Sequence, residues 1–500
     1  SDTALTDSDA LGNTSWYTKF LVKDDSGLFS SASNVTADAT NIFIIGDSAS
    51  TTSTVFNNAG VSAVTLGGGL LGMNSPDSGM IIINSTNSGS LTELSPSGAA
   101  KINIGTLIGN SSVTDQTALL GGIVSYNTQR CVIDNCINTG TMDVKTGGFG
   151  GIVGLNNGYI LNCTLSANLG RSTLNYIGGI AAINYNKDTA AGSQTVGKYS
   201  YTAGTISACT TGKYTITGLD NVGGIAGYNY TENAAYGSAV IMDCSMNSNV
   251  SGDKNVGGLT GDNSGTLILS GTVGSDNSSL TISGKNNVGG IAGKNEGSGV
   301  INCSAEIKAT GSGLSVKASG DNAGGIVGYM TAGNITGTAD GSIKSYATVN
   351  AGGNYAGGIV GNMAAGGTIS YTENYGSVQA SAGYAGGITA YNAASGTKVS
   401  TISNSVDYGN VTSTTGYAAG IASENEGIID SCSVVSAGGN NITTLFSSAS
   451  AAGVISSINK GTVSNCISGI ASSTSYVLIS DSIGTMIGGF VGQNNGIVYG

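Results

Sequence analysis

The feature that most constrains this chain is a glycine doublet that keeps returning: Gly-Gly, a branched aliphatic residue, a small residue, Gly or Ala or Ser, any residue, then Asn. It opens at Gly68, Gly121, Gly150, Gly178, Gly223, Gly257, Gly289, Gly324, Gly357, Gly386 and Gly488, and Ala419 and Ala452 head two further copies. Most copies stand about 28 to 36 residues apart, a period typical of stacked repeat architectures. Paired helices are the rival at this period, but glycine costs about 1 kcal/mol per interior helical position relative to alanine. Two adjacent glycines per repeat exclude helix, and the Thr, Ser, Val, Ile and Tyr between doublets favour strand.

Each repeat reads as three segments. After the motif, Asn-x-Gly at Asn156, Asn263, Asn295, Asn425, Asn459 and Asn494 signals a turn, because Asn and Gly tolerate positive φ. A short strand follows and ends in a step such as Asn135-Cys136, Asn162-Cys163, Asp243-Cys244, Asn302-Cys303 or Asn465-Cys466, with Ala208-Cys209 and Ser431-Cys432 as variants. A third segment of alternating Val, Ile, Thr and Ser leads to the next doublet. The expectation is an all-β fold, a single parallel β-helix with about three short strands per coil and about thirteen coils over residues 68–500. Its core would hold Ile123, Ile152, Ile180, Ile225, Leu259, Ile291, Ile326, Ile359, Ile388, Ile421 and Val454, each two residues after a motif start. Residues 1–67 lack the repeat and contain Trp16, Tyr17, Phe20 and Phe29, which suggests an irregular N-terminal cap or junction. Gly500 follows a fresh motif copy, so the coil is expected to continue in a longer protein or against another subunit.

Equivalent positions change in blocks, as stacked side chains would. Two residues before the doublet stand Asn221, Asn255, Asn287 and Asn322, and then Tyr355, Tyr384 and Tyr417. An amide ladder and a ring ladder are both devices of stacked parallel strands.

The run Gly-Gly-[Ile/Leu/Val]-x-Gly-x-Asn-x-Gly, seen at Gly150 to Gly158, Gly257 to Gly265, Gly289 to Gly297 and Gly488 to Gly496 and followed by an Asn-Cys step, resembles the GLUG repeats of large bacterial surface proteins. The resemblance covers roughly residues 68–500; the copies at Gly324 and Gly357 depart from it, with Met330 and Met363 in place of Asn. It implies a β-solenoid scaffold in adhesin-like proteins and carries over no catalytic residue.

Composition narrows the function. With 17 Lys+Arg against 29 Asp+Glu, a net charge of −12 and no basic run, nucleic acid is an unsuitable partner. The absence of His removes the commonest general base and transition-metal ligand. No stretch approaches the run of about 18 apolar residues that a spanning helix needs, and residues 1–10 lack the pattern of a signal peptide. No cofactor or metal is expected. Asp220, Asp253 and Asp321 before the doublets could in principle ligate calcium but read better as turn residues.

These features point to a secreted or cell-surface structural or adhesion scaffold that binds host or neighbouring-cell ligands, a glycan or a surface protein, through loops. The coils at Gly178 and Gly223 are lengthened just after Asn184 and Asn229. Their loops hold Tyr185, Tyr199, Tyr201, Tyr230 and Tyr236, candidate ligand-binding rings that could instead cover coil edges. The alternative is a self-assembling subunit of an extracellular filament or surface layer, joined at solenoid ends or through apolar strand faces such as Val222 and Ala226, Ala356 and Val360, or Ala418 and Ala422. An enzyme acting on polysaccharide would need clustered carboxylates beside Arg or Lys, and Arg130 and Arg171, the only arginines, occupy different repeat positions. The cysteines read as a buried reduced ladder, with bridges between neighbouring coils, Cys136 to Cys163 or Cys432 to Cys466, as the other option; Cys131 lies outside the ladder.

Overall fold

The computed structural model describes the strands Phe29–Ser31 and Phe43–Ile45 and the chain from residue 55 onward, except 59, 64–65, 74–78, 95–103, 112, 114–117, 188–193, 275–278, 308–312, 365, 436–442, 448–450, 470–476 and 482–485. The chain divides into two compact units, Ser1–Ser248 and Asn249–Gly500. Each is a parallel β-helix in which strands pair in register with their counterparts one repeat on.

In the first unit, the coil that opens at Gly150 shows how the repeat is used. Gly148–Gly150 leads into Val153–Asn156, then Tyr159–Leu161, Thr164–Leu165 and Leu169–Gly170. The three expected segments are present, but sharp corners divide two of them, so five short strands are seen. One corner falls at Asn162, whose φ of 53° is left-handed; Asn135, Ala208 and Asp243 take the same conformation in their own coils. Residues with a Cβ avoid that region, and Asn adopts it more readily than most. The residue after the corner turns inward, and Cys136, Cys163 and Cys209 are accordingly buried.

The doublet has a steric cause. A Cβ on Gly150 would collide with the carbonyl oxygen of Val153 in the same coil, and one on Gly151 with that of Gly179 in the next. The first glycine lets the chain bend back on itself and the second lets successive coils close up. The aliphatic that follows fills the interior: Ile123, Ile152, Ile180 and Ile225 are fully buried, joined by Leu70.

Residues 29–63 carry no doublet, yet four short strands there pair with the coil that follows. Phe29–Ser31 pairs with Leu71–Met73, Phe43–Ile45 with Met80–Ile83, Val55–Asn57 with Ser85–Asn87, and Val61–Ala63 with Leu91–Glu93, all parallel. Within the segment read as an irregular cap or junction, the described strands thus pair in the same parallel manner without the glycine signature. Trp16, Tyr17 and Phe20 lie outside the described residues.

The second unit repeats the plan. Ile291, Ile326, Ile359, Ile388 and Ile421 are fully buried, as is Leu259. One copy is out of register with its sequence reading. Gly453, not Ala452, aligns with Ala419 and Gly488, so Ile455 takes the core column in place of Val454. Two coils skip the corner and run Thr266–Val273 and Val300–Ile307 as single strands. Asn302 is among them and keeps an extended backbone; the side chain of Cys303 lies outside the described residues.

The motif Asn does more than turn the chain. Asn127, Asn156, Asn184 and Asn229 are fully buried, and Nδ2 of each donates to Oδ1 of the next at 2.8, 2.7 and 2.8 Å. Asn156 Oδ1 also accepts the Gly158 N–H, so one side chain holds both the turn and the ladder. In the second unit the ladder joins Asn263 to Asn295, and Asn392 to Asn425, Asn459 and Asn494. These interior amides donate toward higher residue numbers. The ladders beside left-handed corners donate the other way: Asn287 to Asn255, Asn322 to Asn287, and Asn135 to Asn84.

Candidate functional site

The inserted tyrosines of the first unit come first, since sequence singled them out. Tyr185 and Tyr230 do pair in register at the roots of adjacent insertions. The insertions then fold back onto the coil. Gln194–Val196 and Tyr199–Tyr201 form an antiparallel hairpin that packs on Ile81, Ile83 and Val132. Tyr199 donates to Asp134 Oδ2 at 2.7 Å, Tyr201 donates to the Gln129 carbonyl at 2.9 Å, and the Tyr201 ring stacks on Tyr159 with centroids 4.9 Å apart.

Tyr185 is 1% exposed, its hydroxyl 2.7 Å from that of Tyr126, in a cluster closed by the short helix Ile104–Ile108. Tyr230 is half-buried and reaches the Gly109 carbonyl, and Tyr236, at 38%, is the one well-exposed ring of the five. The expected exposed platform is corrected for Tyr185, Tyr199 and Tyr201: they cover the outer face of the coil. The physical reason is that a wide parallel strand face carrying Ile and Val needs an apolar cover, and the insertions supply it.

The two stacking ladders stand in different ways. Asn255, Asn287 and Asn322 bond through their amides at 2.8 Å and share φ values of 56°, 57° and 64°. Asn221, in the first unit, has φ 57°, and Tyr176 at the equivalent place one coil earlier has 58°. Tyr355, Tyr384 and Tyr417 instead lie in extended strands and stack at 5.6 and 5.0 Å with interplanar angles of 7° and 13°. In the second unit the switch from Asn to Tyr thus follows a switch from left-handed to extended backbone at this position.

Sequence reading missed a second ring column, Tyr346, Tyr375 and Tyr408, stacked at 4.8 and 4.6 Å. Its signal was the repeated Asn374-Tyr375-Gly376 and Asp407-Tyr408-Gly409. Tyr375 donates to Glu373 Oε2 at 2.6 Å, and burial followed by that carboxylate pushes its hydroxyl pKa up. In both columns each inner ring spends its faces on its neighbours, so the edges and hydroxyls are what the solvent meets.

The outward face of each coil's last segment in the second unit is different in kind. Ser283, Lys317, Asn350 and Gln379 stand in register on successive strands and line a shallow open groove of about 390 Å³. Lys317 is the only charged residue lining it.

Titratable groups elsewhere serve packing. Burial pushes the Cys131 thiol up to about 12 and those of Cys136, Cys163 and Cys209 well above their usual value. The described cysteines are free thiols, and Cys136 and Cys163 each donate a backbone N–H to the next sulfur at 3.4 Å. Cys466 is partly exposed, and its hydrogen bond with Cys432 lowers its pKa. Asp407 is fully buried and raised to about 8 by desolvation, while Asp262, raised to about 7 by burial and then by Glu296, is held by Lys294 at 3.5 Å. Neither presents its carboxyl to an open surface. Arg171 pairs with Asp143. Asp321 Oδ1 accepts the Asn354 N–H, a turn role, and among the described residues no three His, Cys, Asp or Glu side chains gather as a metal site. Among the described residues no helix is long and apolar enough to cross a membrane. Val222, Ala226, Ala356, Val360, Ala418 and Ala422 are fully buried within the chain, so these strand faces leave nothing for another molecule to cover. In comparisons with models of known families, with curated proteins and with solved structures, the chain matches none.

Proposed function

We propose that this chain is an extracellular or cell-surface scaffold of the adhesin kind, as its resemblance to GLUG repeats implies, and that it holds ligands on repeated outward positions of its coils. The observation that carries the reading is the stacking of like side chains over successive coils, inside as amides and outside as rings. Such columns spend sequence on rigidity, and they display the same chemical group at each coil spacing of about 4.8 Å. A repeated display suits a repeated ligand, because weak contacts to one chain of sites add through effective concentration. With Tyr185, Tyr199 and Tyr201 buried, coil faces are the better-suited surface for that role. Labelling of intact producing cells with an antibody, together with adhesion of the purified protein to cell surfaces, tests this. Surface labelling and saturable adhesion are expected; a protein found only inside cells that binds no surface overturns it.

A further inference from the structure

We propose that the groove of the second unit lined by Lys317, Asn350 and Gln379 binds an extended acidic polysaccharide laid across successive coils; this rests on the adhesive reading above and names its ligand class. Leu280–Gly284, Leu314–Ala318, Thr348–Ala351 and Val378–Ala380 pair in parallel, and the register sets Ser283, Lys317, Asn350 and Gln379 in one outward row. Lys317 and Gln379 are exposed and Ser283 and Asn350 half-buried. Elsewhere in this fold, stacked amides bond to one another; here Asn350 and Gln379 make no side-chain bond to another described residue, and their donors and acceptors face outward.

The chemistry of the lining selects the ligand. Serine hydroxyls, two carboxamides and one ammonium, on a floor that includes Ala318 and Ala351, supply paired donors and acceptors without an aromatic or large aliphatic anchor. Protein partners are held mainly by such anchors, so a protein fits poorly. A sugar chain presents hydroxyls that planar amides bond well, and laid along the row it passes one lining side chain per coil spacing of about 4.8 Å. In a chain with 29 Asp+Glu against 17 Lys+Arg, a groove whose lining has a cation and no carboxylate favours a sugar carrying a carboxylate at Lys317. A single lysine is too little for a nucleic acid backbone.

The test measures binding of the full chain to polygalacturonate and to uncharged dextran, together with its adhesion to cells. Wild type is expected to bind polygalacturonate more tightly than dextran, with affinity rising with oligomer length and falling with added salt. Lys317→Ala/Asn350→Ala/Gln379→Ala is expected to lose at least about tenfold. Lys317→Glu, one exposed substitution that leaves the packing alone, is expected to abolish the preference for the acidic polymer. Equal binding by wild type and Lys317→Glu overturns the groove while leaving the adhesive reading standing. Failure of wild type to bind either polymer also overturns it; the adhesive reading then survives if cell adhesion persists and falls if it does not.

Discussion

Met363 stands in register with Asn392 on the neighbouring coil, and the buried Oδ1 of Asn392 has no donor as a result. At Asn425, Asn459 and Asn494, further along this column, the preceding residue is an Asn whose Nδ2 fills that role. Met330 and Met363, both fully buried, replace two successive rungs. Met363→Asn alone would satisfy Asn392 but bring in its own unpaired oxygen, whereas Met330→Asn alone would face its amide to a methyl group. The two together would restore an unbroken ladder from Asn295 to Asn392. A double-mutant cycle measured by denaturant unfolding is expected to give a favourable coupling of about 1 kcal/mol; a coupling of zero would show that the ladder bonds add nothing net.

Glycines of the doublet should differ sharply from glycines outside it. A Cβ at Gly358 would meet the carbonyl of Gly387 and the amide of Asn374, while one at the exposed Gly60 has the Ser90 hydroxyl, 3.1 Å away, as its nearest neighbour. Gly358→Ala is expected to destabilise by about 3 kcal/mol or more, through forced separation of coils. Gly60→Ala is expected to lie within about 0.5 kcal/mol of wild type. Thermal unfolding of the two variants side by side checks both.

Asp407 makes stability depend on pH. Its Oδ1 accepts from Asn374 at 2.9 Å and from the Gly409 N–H, its Oδ2 has no partner, and burial lifts its pKa to about 8. The folded state therefore binds this proton more tightly than the unfolded chain does. Its contribution is fully present below the ordinary carboxylate pKa, declines as pH rises from there to about 8, and is flat above. Asp407→Asn is expected to remove that decline, so that the gap in stability between variant and wild type widens from pH 4 to pH 8 by on the order of a few kcal/mol. Asp262 titrates over an overlapping range in both proteins and cancels from the difference. A gap that does not change with pH would place the Asp407 carboxylate in contact with water.

Thiol reactivity should sort the cysteines by burial. Cys466, partly exposed and with a lowered pKa, is expected to be alkylated first at neutral pH. Cys131, Cys136, Cys163, Cys209 and Cys432, all buried and raised, should react only after denaturant is added. Iodoacetamide labelling read by peptide mass spectrometry separates the two classes. Early labelling of Cys163 would mean that the coil opens locally.

Much of the architecture is legible in the sequence because a solenoid has a one-dimensional code: the doublet, the inward aliphatic and the block changes at Asn255 and Tyr355 all mark the coil period. What escaped has physical causes. The strands Phe29–Ser31, Phe43–Ile45, Val55–Asn57 and Val61–Ala63 join the coil through backbone pairing, which leaves no glycine signature in the sequence. The Asn after each motif has the same letter whether it turns the chain or bonds to its neighbour, and only coordinates reveal that Asn156 does both. At Ala452 two small residues in a row hid a one-residue slip of register. The tyrosine insertions misled most, since a ring in a Gly- and Ser-rich loop reads as exposed, and whether it folds back depends on Ile81 and Val132, more than 60 residues away in sequence. The groove gave no motif at all, because Ser283, Lys317, Asn350 and Gln379 share only their place in the coil.

The opposed direction of the amide ladders has an electrical consequence. Aligned carboxamides add head to tail, as peptide dipoles do in a helix, and a stack with every ladder pointing one way would acquire a positive pole and a negative pole. Within each unit the inner columns, such as Asn156 to Asn184 or Asn425 to Asn459, run against corner columns such as Asn135 to Asn84 or Asn322 to Asn287. The corner columns offset part of the inner ones, so the potential between the poles grows less with each added coil than ladders all pointing one way would make it.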